Sequence, residues 1–289
     1  MLNEGLALVR KPSISAKGSD STSHVGLLIV NADDWGRSRD TTDRTLECIH
    51  LGGVSSVSAM VFMEDSERAA TLAREHAIDA GLHINLTTPF STPNCSIKFV
   101  ECQRKIARYL NRHRLAQAMF HPGLISAFEY VVVAQIEEFR RLYGSEPSRL
   151  DGHHHMHLCA NVLFQNLLPL NAIVRRNFSF EAGEKSLSNR LYRRLVDRVL
   201  ARRCRLTDYF FSIVPLCPEG RLERILSLSH EHVVEVEVHP VNKDEYEFLT
   251  KGGIRRLAGD LKIGPASLLP PRGTPENLMN KDHCMKSCG

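Results

Sequence analysis

Apolar residues in this chain gather into short dense runs separated by longer stretches of helical period. Residues 25–30 (Val-Gly-Leu-Leu-Ile-Val) are almost continuously apolar, the mark of a strand covered on both faces. Residues 54–62 read as a second strand. Residues 81–87 alternate, with Leu82, Ile84 and Leu86 on one side and His83 and Asn85 on the other. Residues 233–238 do the same, setting Val234, Val236 and Val238 against Glu235, Glu237 and His239. Shorter strands are expected at 149–151, 172–174, 209–214 and 260–263.

Helices fill the intervals. One starts at a cap on Asp40 and stops at Gly52-Gly53; a second runs from Asp65-Ser66 to about His76. Others are expected at 97–111, 124–143, 161–168, 187–203, 219–229 and 244–257. Residues 88–97 are rich in breakers and form a loop beyond the His83 strand. This regular alternation predicts one α/β domain with a mostly parallel sheet, open or closed into a barrel, over residues 25–264.

Composition changes this picture only at the edges. With 43% hydrophobic and 24% charged residues the 289-residue chain can bury an ordinary globular core. Residues 1–24 lack the apolar centre of a secretory signal and read as a disordered leader; residues 265–289 read as a flexible polar tail. No apolar run approaches the ~20 residues of a membrane helix. The eight cysteines are scattered, without paired C-x-x-C sets, which suits reduced thiols and a cytoplasmic location. The net charge is only +4, and Arg193, Arg194, Arg198, Arg202 and Arg203 fall at the spacing of a solvated helix face. Neither nucleic acid nor membrane is expected as a partner.

The chemistry lies at strand ends. Two adjacent carboxylates, Asp33 and Asp34, close the first buried strand, where they are costly unless they bind something. His83 stands on the polar side of its strand. Asp151-Gly152-His153-His154-His155-Met156-His157 puts four of the 14 histidines into seven residues. In extended backbone Asp151, His153, His155 and His157 would share one face, with His154 opposite. His239 ends the alternating strand. A parallel α/β fold brings such ends to one rim. Carboxylate and imidazole together suit a hydrolytic metal centre: one Asp oxygen and two His nitrogens as ligands, a second carboxylate as base, and a His as acid.

The motifs Asn31-Ala32-Asp33-Asp34-x-Gly36, Gly81-Leu82-His83-x-Asn85-Leu86-Thr87, Asp151-Gly152-His153-x-His155-x-His157 and His239-Pro240 resemble, in order and context, those of the YdjC family of carbohydrate deacetylases. That resemblance implies a (β/α) barrel-like domain, hydrolysis of an N-acetyl group on an amino sugar or N-acetylated oligosaccharide, and a homodimer in many members. It implies Asp34, His83 and His153 as ligands of one divalent ion, magnesium or zinc. Asp33 would be the general base, and His239, with His155 as competitor, the acid. Asp151 would orient an imidazole. Asn85, Trp35, His157 and Glu237 would surround the ion or the substrate, Trp35 standing where the family usually has Phe. Three other readings stay open: hydrolysis of a different amide or ester, a non-catalytic sugar-binding relative, and a glycosidase using Glu235 and Glu237.

Overall fold

The computed structural model describes residues 26–269 except 94, 114 and 181–183. The expected leader, Val25, and residues 270–289 with Cys284 and Cys288 lie outside the described residues. In chain order the elements are β1 (Leu27–Trp35), α1 (Arg39–His50), β2 (Ser56–Ala59), α2 (Ser66–Glu75), β3 (Ala80–Ile84), α3 (Ile97–Leu110), α4 (Ile125–Tyr143) and β4 (Leu150–Gly152). There follow α5 (Ala160–Phe164), α6 (Leu187–Ala201), β5 (Tyr209–Ser212), α7 (Glu219–Ser227), β6 (Val233–Val238), α8 (Lys243–Thr250) and α9 (Gly253–Ala258).

Among the described residues the six strands are all parallel, in the order β4-β3-β2-β1-β6-β5. They form a curled half-barrel flanked by helices, the mostly parallel sheet that the alternation predicts and the barrel-like fold that the family resemblance implies. Between the two edge strands, residues 172–179 complete the curl. Val174 bridges Leu150, Ile173 bridges Arg205, and Ser179 N donates to Phe210 O at 2.7 Å. The strand expected at 172–174 is therefore a pair of isolated bridges. The chain leaves the ladder there as Arg175 and Arg176 enter ion pairs with Asp33 and Asp197. The strand expected at 260–263 is likewise one bridge, Ile263 to Leu28. It fits there because β2 begins only opposite Asn31 and leaves that flank of Leu28 open.

Other departures have local causes. Ser38, not Asp40, caps α1: its Oγ accepts from Thr41 N, while Asp40 sits in the first turn and pairs with Arg44. The helix expected at 244–257 is two, because Gly252 takes a left-handed conformation at φ 73°. Residues 265–269 are packed rather than loose. Ala266 and Leu269 are buried against Leu27, Ile29 and Val233, and Ala266 N donates to Ser56 Oγ and Asp79 Oδ2. Among the described residues no helix is long and apolar enough to cross a membrane.

Strand alternation sorts the sheet into two faces. Leu28, Val30 and Ala32 on β1, with Val234, Val236 and Val238 on β6, are buried in the main core. The inner face changes character along the strands. At the bottom Leu27 pairs with Val233; above, Ile29 pairs with Glu235 and Asn31 with Glu237. The half-barrel is thus apolar where the 265–269 segment plugs it and polar toward the strand C-terminal ends, the end where parallel β/α folds keep their sites.

Candidate metal centre

Consecutive strand residues normally point to opposite faces, so Asp33 and Asp34 should not both enter one site. A bulge solves this. Asn31 and Ala32 register with Ser56 and Val57, but Trp35 registers with Ala59, so β1 carries one extra residue. Asp34 takes the left-handed region at φ 66°, which Asp tolerates better than most residues. Both carboxylates then reach His83 on β3, whose Nε2 lies 3.5 Å from Asp34 Oδ1 and 3.9 Å from Asp33 Oδ2. Gly36 follows at φ 85°, with Met60 O only 3.2 Å from where a Cβ would sit.

Asp34, His83 and His153 form a buried trio whose ligand atoms lie within 4.8 Å of one another. His153 Nδ1 stands 2.9 Å from Asp34 Oδ1. Donors held about 2.0–2.1 Å from a tetrahedral ion are roughly 3.3–3.4 Å apart, close to these separations. Asp34 Oδ1 is buried without a hydrogen-bond partner, an expense that a bound cation would offset. Burial opposes the Asp34 charge, yet His153, His83 and Arg37 hold its carboxyl well below the usual range. His83 is oriented from behind, because its Nδ1 bonds Asp151 Oδ1 at 2.7 Å and leaves Nε2 facing Asp34. That carboxylate–imidazole arrangement is the usual support of a metal-bound histidine. The donor set fits a divalent cation.

Beneath the trio lies a buried charge network. Arg175 holds Asp33 through two parallel bonds of 2.7 Å, Nη1 to Oδ2 and Nη2 to Oδ1. It also reaches Asp151 Oδ2 at 3.1 Å and Glu235 Oε1 at 2.7 Å. Arg149 bonds Asp151, Glu235 and Ser58, and Ser58 donates to Asp151 Oδ2 at 2.6 Å. Burial works against ionisation of Asp33, but Arg175 and then His83 bring its carboxyl down to about 2. Asp151 is held low by the same two arginines against its own burial. Glu237 goes the other way: burial and the Asp33 charge raise it well above the usual carboxylate range. With Glu235 committed to two arginines, the pair Glu235 and Glu237 does not have the free carboxyls of a glycosidase.

The 151–157 run does not stay extended. β4 ends at Gly152, and residues 153–158 wind into a tight turn in which His154 and His155 are left-handed, at φ 54° and 57°. Asp151, His153, His155 and His157 consequently do not share a strand face. His153 joins the trio. His154, exposed, bonds Thr87 Oγ1 at 3.0 Å. His155 lies 3.7 Å from Glu237 Oε2 and packs edge-on to Phe178. Burial and then Arg175 push its imidazole well below its ordinary range. His157 is fully buried and its Nε2 bonds the Arg175 carbonyl at 3.0 Å, so it braces Arg175.

Of the other expected site residues, Asn85 shapes the turn after β3: its Oδ1 accepts from Thr87 N and Thr88 N. Trp35 is wholly buried with Nε1 donating to Ala69 O on α2, so it packs in the core and does not line a pocket. His239 is half-buried just past β6, where its backbone N donates to Glu245 Oε2 at 2.7 Å. Arg175, Arg149, Ser58 and Arg37 were not expected in the site. The alternation that selected Asp151 also placed Arg149 on its face; for Arg175 the only sign was its place after the short apolar run at 172–174.

A parallel β/α half-barrel with a buried Asp-His-His trio at its strand C-terminal ends defines the class: a β/α fold whose rim can hold a divalent cation. More narrowly, the chain belongs to the YdjC-like protein family, whose model matches residues 27–258. It is 32% identical over 178 residues to a chitooligosaccharide deacetylase of Proteus mirabilis (strain HI4320), covering 61% of each chain. It is 30% identical over 136 residues to a carbohydrate deacetylase of Mus musculus, covering 47% of this chain and 44% of that one. The chain thus spans less than two thirds of the length of the curated relatives it matches. A solved protein of Enterococcus faecalis V583, named as a candidate cellobiose-phosphate cleavage protein, shares the fold with a TM-score of 0.54 at 20% identity, over 83% of this chain and 97% of that one.

Proposed function

We propose that the protein is a metal-dependent hydrolase that removes an N-acetyl group from an amino sugar or an N-acetylated oligosaccharide. The observation that carries this is the convergence of Asp34 Oδ1, His83 Nε2 and the His153 ring in a buried cluster in which Asp34 Oδ1 has no hydrogen-bond partner. Membership in a family whose matched relatives are named as carbohydrate deacetylases supports the substrate class. The activity belongs to the domain at residues 25–264. Cys48, Cys95, Cys102, Cys159 and Cys217 carry free thiols, which supports a reducing compartment such as the cytoplasm.

Asp34, His83 and His153 would hold the ion. Mixed oxygen and nitrogen donors suit zinc or a neighbouring transition ion, with magnesium as the alternative. A divalent cation there supplies Lewis acidity, polarising the amide carbonyl and bringing the pKa of water within reach of a carboxylate base. Asp33 is the base. It is ionised at neutral pH, and its Oδ2 lies on the side of the trio. The attacking water gives its proton to this carboxylate, and Arg175 keeps the carboxylate aimed. His239 protonates the departing nitrogen as the C–N bond breaks, yielding acetate and a free amine. His155 is the poorer acid, since burial and the Arg175 cation both oppose its imidazolium.

The test is acetate release from N-acetylglucosamine and chitooligosaccharides of increasing length, before and after metal stripping. Turnover is expected to fall to background with a chelator and return with added zinc. Undiminished turnover in the stripped protein would contradict the proposal.

A further inference from the structure

Arg37 stands three residues after Asp34, and its backbone N donates to Asp34 O at 3.0 Å, which closes the turn at the end of β1. The side chain folds back over the same residue. Its Nη1 donates to Asp34 Oδ2 at 2.8 Å, and the guanidinium has no other partner among the described residues. The two oxygens of Asp34 are therefore unlike. Oδ2 is taken by a charge-assisted bond, while Oδ1 has no donor and points at His83 Nε2 and His153 Nδ1. The Arg37 side chain is 40% exposed, so it meets Asp34 from the solvent side, whereas Arg175 and Arg149 are buried.

We infer that Arg37 is a positioning residue that makes Asp34 a one-oxygen ligand. A carboxylate with both oxygens free can chelate a cation through both. Here the guanidinium fixes the orientation of the carboxylate and sets a positive charge beside Oδ2, which disfavours a cation on that side. The ion is left with one oxygen and two nitrogens from the protein, and the position a second Asp34 oxygen would fill stays open for water and substrate, as hydrolytic sites require. This inference rests on the proposed metal site and adds a residue to it that touches neither the ion nor the reacting atoms.

The experiment compares the full chain with Arg37→Leu and Arg37→Lys, each loaded with cobalt(II) for electronic spectra and with zinc for X-ray absorption. Arg37→Leu is expected to bind the ion with one additional oxygen neighbour and with weaker cobalt d–d absorption, the mark of a higher coordination number. Arg37→Lys, which restores a cation without the planar fork, is expected to fall between the two. Identical coordination in all three proteins would overturn the inference while leaving the metal site intact. Failure of the unaltered protein to take up either ion would defeat the metal site and the role of Arg37 together. Loss of metal in Arg37→Leu with unchanged coordination in the fraction still loaded would mark Arg37 as merely structural and would also overturn it.

Discussion

At the scale of single residues, the two adjacent aspartates have different tasks because they have different neighbours. Asp34 faces two imidazoles; Asp33 faces a guanidinium. Replacing Asp33 with Asn should leave the metal in place and lower kcat by about 10²–10⁴, the usual worth of a general base. Kinetics with metal analysis on the same preparation checks this, and equal metal loss in Asp33→Asn and His153→Ala would contradict the assignment. Arg175 has a heavier structural duty. Arg175→Met removes the shared partner of Asp33, Asp151 and Glu235, and breaking a buried pair in this way typically costs about 3–5 kcal/mol. Urea unfolding of the variant should show a loss of that size. The carboxylate and histidine types were legible from residues alone, since buried strand ends rarely carry them without cause. Arg175 was not: its partners come from β1, β4 and β6, and no local pattern announces them.

At the scale of elements, strand alternation proved the most informative signal. It put His83 on the polar side of β3, and Glu235 and Glu237 on the inner side of β6, where they lie. It failed where the backbone departs from a regular strand. The bulge at Asp33-Asp34 and the left-handed His154 and His155 both re-aim side chains: a regular strand would have sent the two aspartates to opposite faces, and the shared face expected for Asp151, His153, His155 and His157 is lost. These are the two places where the site is built. Gly152, the last residue of β4, allows the turn to fold back on itself, because an added Cβ would lie 2.9 Å from His157 N and 3.0 Å from His157 Cβ. Gly152→Ala should therefore displace the turn that carries His153. Overpacking of this kind typically costs about 1–3 kcal/mol. Thermal unfolding and metal titration should both register it, with weaker metal binding than in the unaltered protein. Unchanged stability and affinity would show that the turn tolerates the clash and that its position matters less than argued.

At the scale of the whole molecule, the parallel fold does what no segment can do alone. Asp34, His83 and His153 are spread over 120 positions of chain and meet because β1, β3 and β4 end at the same rim. The repeated strand–helix order made that rim foreseeable, and the apolar plug formed by Ala266 and Leu269 at the opposite end was hidden because a Pro-rich segment carries no periodicity. The central claim is that these three side chains hold one divalent ion. Calorimetric titration of the metal-stripped chain with zinc tests it most directly, alongside Asp34→Ala, His153→Ala and Asp33→Asn. One tight site per chain is expected, lost in the first two variants and kept in the third. A site that survives in both Asp34→Ala and His153→Ala, or no site in the unaltered protein, would contradict the account.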